Sequence, residues 1–259
     1  MSKSLRIELP TAGVVCLGLA RPSKRNALSR ELVQGLSREL SKLAATADLR
    51  AVILSGEGES FCSGADLSEL VDLREGDLKA RIAEFQAVIL SIVELSVPVI
   101  AAIEGPAVGF GADLALCCDA RVMGAGAYLE QGFVHMGLMP DGGGSYWAEK
   151  YFGPRALEAL VLGRRWTAQE CGQLGVACAL AEQGGARAEG LVLAKKIAQQ
   201  SLPATTQIKR VLRRRDRSEL SATLDDERDG QARLLASAQF KSKLRNFLDR
   251  GNAAKKLDK

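Results

Sequence analysis

The stretch PVIAAIEGPAVGFGADLALCCDARV, from Pro98 to Val122, carries the pattern that decides the fold. PVIAAIEG is a short apolar run that ends at a glycine, and it predicts a buried strand. The following segment predicts a loop that opens a short helix, and ARVMG predicts another strand. Buried strands that alternate with helices are typical of an α/β protein with parallel pairing.

The same alternation extends towards the N-terminus. LRIEL and VVCLGLA predict two strands joined by a turn, and AVILSG predicts a short buried strand. Ser29 is a good N-cap for the helix that follows it, in which leucines recur at helical spacing. A second helix is predicted over about residues 79–95. This half of the chain is therefore predicted to contain most of the sheet.

Towards the C-terminus, strand signals become sparse after about Gly137 and helices dominate. PRALEALVLG predicts one helix, and Thr167 is predicted to cap another. We predict an α/β core over residues 1–200, which contains the candidate functional site described below, and a helical C-terminal extension over residues 201–259. The extension must pack on its own subunit or on a neighbouring one.

Composition excludes several classes of protein. The 259 residues are 47% hydrophobic and 25% charged with a net charge of +4, which is ordinary for a globular protein and favours no nucleic-acid partner. One histidine and six cysteines without a CxxC pair predict no metal site. The start lacks a signal peptide and no apolar run has membrane-spanning length, so we expect a cytoplasmic protein without membrane contact.

Three glycine-bearing loops, FCSGADL, GPAVGFGADL and GLMPDGGG, are candidates for a site. Gly109 and Gly111 do not begin a dinucleotide fingerprint, because position 114 is leucine. The chain also lacks the GxxxxGK[ST] phosphate loop and the GxSxG nucleophile elbow. Each loop alone is consistent with a simple tight turn.

Taken together and in order, the segments RPSKRNALS, SFCSGADLSEL, the 98–122 stretch and GLMPDGGGSYW resemble the crotonase (enoyl-CoA hydratase/isomerase) superfamily. The resemblance implies a crotonase-type spiral of repeated ββα units with a C-terminal helical region. It also implies an acyl-CoA thioester substrate, no cofactor other than the coenzyme A of that substrate, and a homotrimer or dimer of trimers.

The resemblance implies an oxyanion hole formed by the backbone N–H groups of Ala65 and Phe110. A thioester enolate requires donors aimed at the oxygen on which negative charge develops. Phe110 begins the predicted helix, where N–H groups without partners and the positive end of the dipole meet. The glycines at 109 and 111 allow the acyl group to approach this backbone.

Contacts to CoA are carried over from the family to two segments. In this sequence they are Lys24, Arg25 and Ala27, followed by Ala65, Asp66 and Leu67. Lys24 and Arg25 are equally consistent with a solvated surface pair. The basic run KRVLRRRDR at residues 209–217 predicts a solvated helix face, and attraction of the CoA phosphates is the alternative.

The acids do not match a hydratase. Hydratases of this family use two glutamates, and the matching positions here are Asp113 and, twenty residues on, Phe133. An aromatic ring cannot act as a general acid or base. Asp113 is therefore predicted to be an auxiliary acid or a structural residue, and hydration through Asp113 remains an alternative.

Asp141, in GLMPDGGG, is the predicted catalytic base. This segment resembles most that of the 1,2-epoxyphenylacetyl-CoA isomerases and related enoyl-CoA isomerases, in which the aspartate shuttles a proton. One base suffices for such a shuttle, whereas hydration must also place and activate a water. The number of acids therefore favours double-bond isomerisation.

Besides hydration through Asp113, three alternatives remain open at this point. Asp141 could simply cap the following helix, a role that suits aspartate. It could attack covalently, as in aryl-CoA dehalogenases, with Phe133, Tyr146 and Trp147 forming an aromatic acyl pocket. Finally, the chain could bind CoA without catalysis, which the absence of a glutamate at position 133 encourages.

Overall fold

The computed structural model describes residues 3–71 and 73–257, which form nine strands and nine α-helices. The strands are β1 (Leu5–Thr11), β2 (Val14–Leu19), β3 (Ala51–Gly56), β4 (Val99–Ile103), β5 (Pro106–Val108), β6 (Ala120–Gly124), β7 (Tyr128–Glu130), β8 (Arg165–Thr167) and β9 (Ala179–Ala181). The helices are α1 (Arg30–Ala44), α2 (Leu78–Glu94), α3 (Phe110–Cys117), α4 (Gly144–Phe152), α5 (Ala156–Val161), α6 (Ala168–Gln173), α7 (Ala186–Ala198), α8 (Leu202–Ala236) and α9 (Ala238–Leu257).

Six strands form the main sheet in the order β1-β2-β3-β4-β6-β9. The first pair is antiparallel, as the short turn between β1 and β2 requires, and every later pair is parallel. The predicted α/β architecture with parallel pairing is therefore confirmed.

The central strands are buried on both faces. In β3, Val52 and Leu54 join the large apolar cluster that contains α1 and α2. The alternate residues Ala51 and Ile53 join a smaller cluster beneath α7. Because neighbouring side chains of a strand point to opposite faces, one apolar run fills both layers of the core.

A second sheet, in the order β5-β7-β8, adjoins the site. Its first strand lies in the stretch for which the sequence pattern predicts the loop before α3, and the pattern does not predict β7, β8 or β9. Each of these strands is three residues long, which is too short for a hydrophobic period to appear. The two predicted caps are confirmed: Ser29 accepts from the Leu32 N–H, and Thr167 forms a capping box with Glu170.

The 35-residue helix α8 crosses back over the core and packs on α2 and α4. Lys209 is buried, and its ammonium lies 2.7 Å from the Asp119 carboxylate, which Arg213 also contacts at 2.9 Å. The interpretation of the basic run as a solvated face is wrong for these two residues, since their four-residue spacing places them on the inner face. Across the described ranges, α8 and the other helices are too short or too polar to traverse a bilayer.

Candidate active site

The two loops that carry the candidate oxyanion amides lie side by side. The carbonyl oxygen of Cys62 accepts a hydrogen bond from the Val108 N–H at 2.9 Å. Gly64 has a φ of 90°, and a Cβ on it would lie 2.9 Å from the Val108 carbonyl oxygen and 3.5 Å from the Phe110 nitrogen. The segment that ends at Ala65 therefore lies against the start of α3.

Within the described part of the chain, the fold does not use the N–H groups of Ala65 and Phe110. Neither donates in the backbone hydrogen bonds of the residues that the structure describes. Phe110 is the first residue of α3, where an N–H lacks an intrahelical acceptor and the dipole is positive. Gly111 allows the start of α3 to lie against the segment at Cys62, because a Cβ on residue 111 would overlap the carbonyl oxygen of Cys62.

The polar loop at residues 21–27 is organised by one buried amide side chain. Asn26 is fully buried and accepts a hydrogen bond from the Arg21 N–H at 2.9 Å. Its Nδ2 donates to the carbonyl oxygens of Glu57 and Ser60 at 2.9 and 2.7 Å. Asn26 thereby joins this loop to the one that leads to Ala65.

The first group of predicted CoA contacts combines exposed and buried residues. Lys24 and Arg25 are exposed, whereas Ala27 is buried. The Ser63 N–H donates to the Arg25 carbonyl oxygen at 3.0 Å, which places this loop beside the one that carries Ala65. Two cationic side chains therefore reach solvent near the first candidate amide.

In the second group, the carboxylate of Asp66 is already engaged. It accepts hydrogen bonds from Ser68 Oγ at 2.6 Å and from Arg21 at 2.8 Å. Burial acts to raise the pKa of Asp66, but the donors of Ser68 and Arg21 outweigh it and hold this pKa below its ordinary value. Leu67 packs instead on the apolar cluster that includes α9. The backbone of Asp66 is engaged as well, because its N–H donates to the Leu28 carbonyl oxygen and its own carbonyl oxygen accepts from the Glu69 N–H, both at 3.0 Å.

Asp141 lies in the turn before α4. Its Oδ2 accepts a hydrogen bond from Gln231 Nε2 at 3.3 Å, and its buried Oδ1 has no partner among the described residues. Burial, and next the negative charge of Glu227, raise the pKa of Asp141 to about 7, while the Gln231 hydrogen bond opposes the rise. A carboxyl group with such a pKa can accept and return a proton near neutral pH.

Asp113 is fully buried on α3, and both of its oxygens have partners. Oδ1 accepts from Gln131 Nε2 at 2.8 Å, and Oδ2 accepts from the Gly142 N–H at 3.3 Å. Burial, followed by the charge of Glu227, raises the pKa of Asp113 well above its ordinary value. Asp113 thus supports the loop next to Asp141, and a catalytic role for it stays a prediction.

Glu227, not Asp141, caps the N-terminus of α4. Its carboxylate accepts from the Gly143 N–H at 2.7 Å and from the Ser145 N–H at 2.8 Å. The interpretation of Asp141 as a helix cap is wrong, because the cap position is Gly143 and a side chain from α8 satisfies these donors. The carboxyl group of Asp141 is therefore not consumed by the fold.

The three glycines after Asp141 are required by packing. A Cβ on Gly142 would lie 2.9 Å from the Asp113 Cβ, and one on Gly144 would lie 2.5 Å from the Asp113 Oδ1. Gly143 has a φ of 78°, and a Cβ there would lie 2.5 Å from the Leu220 side chain. The bare backbone thus lets the loop fit between Asp113 and α8.

The three aromatic residues predicted for the acyl pocket occupy different surroundings. The ring of Phe133 lies beside the second amide, since a Cβ on Gly109 would be 3.9 Å from it. The Tyr146 hydroxyl donates to Asp216 at 2.6 Å, and Trp147 is fully buried in the core. Tyr146 and Trp147 thus belong to the packing between α4 and α8, and their role in an acyl pocket stays a prediction.

Comparison with known proteins identifies the family. The sequence profile described as Enoyl-CoA hydratase/isomerase matches residues 10–256. The chain belongs to this family. It is 34% identical to the putative enoyl-CoA hydratase/isomerase YngF of Bacillus subtilis over 68% of each chain. Human mitochondrial methylglutaconyl-CoA hydratase is 33% identical over 61% of this chain, which spans 47% of the human protein.

Solved structures confirm the fold of this family member. An enoyl-CoA hydratase/isomerase from Mycobacterium paratuberculosis superposes with a TM-score of 0.89 and 28% identity, covering 95% of this chain and 99% of that one. OdaA of Pseudomonas aeruginosa gives a TM-score of 0.87 and 29% identity with the same coverage. The expected crotonase-type fold with its C-terminal helices is confirmed.

Three residues that the sequence pattern does not single out contact Asp113, Asp141 or the loop at 142–145 in this family member: Gln131, Glu227 and Gln231. The last two are four residues apart in LDDERDGQ, and both are almost fully buried. The pattern that could have indicated them is a glutamate and a glutamine at helical spacing, with Gly230, a glycine within a long predicted helix, between them. The loop that they contact could not be deduced from that pattern.

An apolar cavity of about 300 Å³ lies between the segment before α2 and the helices α8 and α9 of this family member. Its lining includes Leu70, Leu78, Leu235, Phe240 and Leu244. Leu67, two residues after Ala65, packs on the same apolar cluster. Leu67 and the lining of the cavity therefore belong to one apolar cluster.

Proposed function

We propose that the protein shifts the double bond of an enoyl-CoA, with Asp141 as the base and the amides of Ala65 and Phe110 as the oxyanion hole. The observation that carries the proposal is the buried Oδ1 of Asp141, which lacks a partner among the described residues. A Cβ on the next residue, Gly142, would lie 2.9 Å from the Phe110 ring. The base and one amide therefore belong to adjoining segments.

In the proposed reaction Asp141 first removes a proton and then returns it, while the two amides stabilise the intermediate enolate. Asp141 takes a proton from one carbon of the unsaturated acyl group, and the C–H electron pair moves into an enolate. The amides of Ala65 and Phe110 stabilise the negative charge on the thioester oxygen. Protonated Asp141 then returns the proton to another carbon. A pKa of about 7 suits a group that performs both transfers.

Features of the acid positions favour isomerisation over hydration. Asp113 uses both carboxylate oxygens within the protein, on Gln131 and on Gly142. Position 133, where hydratases of the family carry their second acid, is phenylalanine. A group that activates water needs an oxygen within hydrogen-bonding reach of that water. These residues provide poor support for a bound and activated water.

The proposed substrate is a CoA thioester, and no further cofactor is required by this chemistry. Lys24 and Arg25 offer positive charge to the CoA phosphates, with Ala27, Asp66 and Leu67 as further contacts. From the amide of Ala65, an acyl chain would run past Leu67 towards the apolar cavity.

We also propose a homotrimer or dimer of trimers. The segment 157–162, which includes most of α5, and the helix α8 expose large apolar side chains, which a contact between subunits would remove from water. These are Leu157, Val161, Leu162, Ile208, Val211 and Leu212. Light scattering after size-exclusion chromatography would measure the assembly, and a stable monomer at all concentrations would contradict this part of the proposal.

The proposal is tested by turnover of 3-enoyl-CoA and 2-enoyl-CoA substrates by the wild type, Asp141→Asn and Asp113→Asn. Appearance of the conjugated thioester measures isomerisation, and loss of its absorbance measures hydration. We expect Asp141→Asn to lower isomerisation about 10²- to 10⁴-fold, the usual contribution of a positioned proton-transfer group. Asp113→Asn serves as the matched control at a second buried aspartate.

The outcomes separate the alternatives. Full isomerase activity in Asp141→Asn would eliminate the proposed mechanism. Hydration that disappears only in Asp113→Asn would favour the hydratase alternative. Binding of CoA thioesters by the wild type, without turnover of either substrate, would favour a non-catalytic role.

A further inference from the structure

The middle of α8 lies directly against the loop that carries Asp141. Gly230 allows this approach, because a Cβ there would overlap the sulfur of Met139. A glycine inside a helix costs roughly 1 kcal/mol relative to alanine, so its place in a 35-residue helix is explained by close packing. Leu220 and Leu224 fix the same stretch of α8 in the core.

Glu227 holds the loop on the C-terminal side of Asp141. It is 1% exposed, and its two oxygens accept separately from the N–H groups of Gly143 and Ser145. Burial raises the pKa of Glu227, and the donors at the N-terminus of α4 oppose that rise because they stabilise the negative form of the carboxyl group. A buried charge that bridges two donors also fixes their positions relative to α8.

Gln231 holds the loop on the N-terminal side. Its Oε1 accepts from the Met139 N–H at 3.1 Å, and its Nε2 donates to Asp141 Oδ2 at 3.3 Å. Because it is only 2% exposed, water competes little for either bond. Gln231 lies one helical turn after Glu227, so both side chains are on one face of α8. Together they bind the loop before Asp141, at Asp141 and after it.

We propose that Glu227 and Gln231 are positioning residues for Asp141, which set the orientation and the proton affinity of its carboxyl group from α8. The inference rests on the proposed role of Asp141 as the base, but the contacts themselves do not depend on it. It assigns to the helical C-terminal region a part in the reaction, in addition to packing.

The two residues act on Asp141 with opposite sign. Glu227 brings a like charge, which favours the protonated form of Asp141 and raises its pKa. Gln231 donates to the carboxylate, which favours the ionised form and lowers that pKa. Asp113, from α3, is a further carboxyl group that interacts with Asp141, and the N-terminus of α4 lies beside all three acids.

The test is a titration of the Asp141 carboxyl carbon by NMR in ¹³C-aspartate-labelled full-length protein, with Asp141→Asn used for assignment. In the wild type the midpoint is expected at about 7. Glu227→Gln should move it down towards the usual aspartate range, and Gln231→Met should move it up. Asp226→Asn, an exposed neighbour on α8 with the same loss of charge, is the control and should leave the midpoint in place.

A general loosening of the loop would move both variants in one direction, so opposite shifts are specific to the proposed roles. Unchanged midpoints, or shifts of the same sign, would overturn the inference. If circular dichroism shows that Glu227→Gln does not fold, the Gln231→Met variant is the test. An upward shift of the Asp141 midpoint would then support the inference, and its absence would overturn it.

The titration needs no substrate, which separates this inference from the proposed function. If the midpoints shift as expected while the wild type turns over neither thioester, the positioning roles stand and the isomerase proposal fails. If the wild type is active, the acidic limb of kcat/KM should shift with the same sign as the NMR midpoint in each variant. An unshifted limb would assign the proton transfer to another group.

Discussion

The site joins two regions that are built in different ways. The amide side, comprising residues 62–65 and 106–111, consists of backbone segments that touch each other directly. The acid side, comprising Asp113, Asp141 and Glu227, consists of side chains from separate parts of the chain. Glu227 and the Gly143 that it binds are 84 residues apart. The amide side is therefore fixed by sterics and the acid side by charge and hydrogen bonding.

This difference determines how each region responds to change. The two donors of the amide side are backbone N–H groups, which do not titrate, so pH should not alter their positions. A single added methyl group should displace them. The acid side buries three carboxyl groups whose pKa values are all raised, with burial as the first cause for each. It should therefore be sensitive to protonation and to substitutions that remove charge.

The largest effect is expected from Gly111→Ala on the amide side. The new Cβ would overlap the carbonyl oxygen of Cys62, which is backbone and cannot rotate away. The start of α3 must then move, and the amide of Phe110 moves with it. Loss of one oxyanion donor typically lowers kcat about 10²- to 10³-fold. Steady-state kinetics and thermal unfolding would measure the effect, with stability falling by about 1–3 kcal/mol or more.

Gly126→Ala is the control for that substitution. Its Cβ would enter open space with nothing within 4 Å, so both activity and stability should stay close to wild type. Wild-type kcat in Gly111→Ala would show that the amide of Phe110 does not act in the reaction. The amide side would then have to be abandoned as the oxyanion hole.

The next effect is a gain of stability in Asp141→Asn at high pH. The folded pKa of Asp141 is about 7, above its ordinary value of 3.8, so the folded chain binds the proton more tightly than the unfolded chain. Its ionisation therefore lowers stability as pH rises from about 4 to 7, and the loss persists above pH 7. At about 1.4 kcal/mol per pKa unit, the variant should be more stable than wild type by up to about 4 kcal/mol at pH 8.

Chemical denaturation at pH 8 and pH 5 measures that prediction. The advantage of Asp141→Asn should shrink as the pH falls, because the wild-type carboxyl group then carries its proton in the folded state. Asp226→Asn removes an exposed charge and should show no comparable advantage. A pH-independent difference between Asp141→Asn and wild type would contradict the raised pKa.

The local sequence indicates the loops of the amide side more directly than it indicates the contacts of the acid side. The resemblance assigns the oxyanion hole to Ala65 and Phe110, a role that stays a prediction, and the glycines that shape each loop are within two residues of the amide. Asp141 was also predicted, but its distinction from a helix cap depends on Glu227, which takes the capping role. No local pattern reveals that a carboxylate 84 residues away from Gly143 reaches its N–H.

Most of the main sheet was predictable for the same reason. Strands such as AVILSG are long enough to show an apolar run between turn signals, whereas the three-residue strands of the second sheet are not. Lys209 shows the limit of charge patterns. Its ammonium is buried against Asp119, a partner that only the packing of α8 supplies.

A smaller effect is expected from Gly144→Ala on the acid side. The three heavy atoms nearest to the new Cβ would all belong to side chains: Asp113 Oδ1 at 2.5 Å, Gln131 Nε2 at 2.6 Å and Pro140 Cβ at 2.7 Å. Buried side chains can shift where backbone cannot, so the loss should be about 1–2 kcal/mol, near the lower end for overpacking. We expect kcat to fall much less than in Gly111→Ala. An equal or greater loss would show that the acid side is as rigid as the amide side.

The smallest effect is expected from Phe133→Leu, at the boundary between the two regions. The Phe133 ring lies beside Gly109 and carries no group that could transfer a proton. A leucine keeps the site apolar, so the substitution should lower stability by less than about 1.5 kcal/mol and leave kcat within a few-fold of wild type. Because the ring adjoins the amide of Phe110, KM should change with the length of the acyl chain. A large fall in kcat with unchanged KM, measured across a series of acyl-CoA lengths, would instead mean that the ring fixes the reacting carbons relative to Asp141.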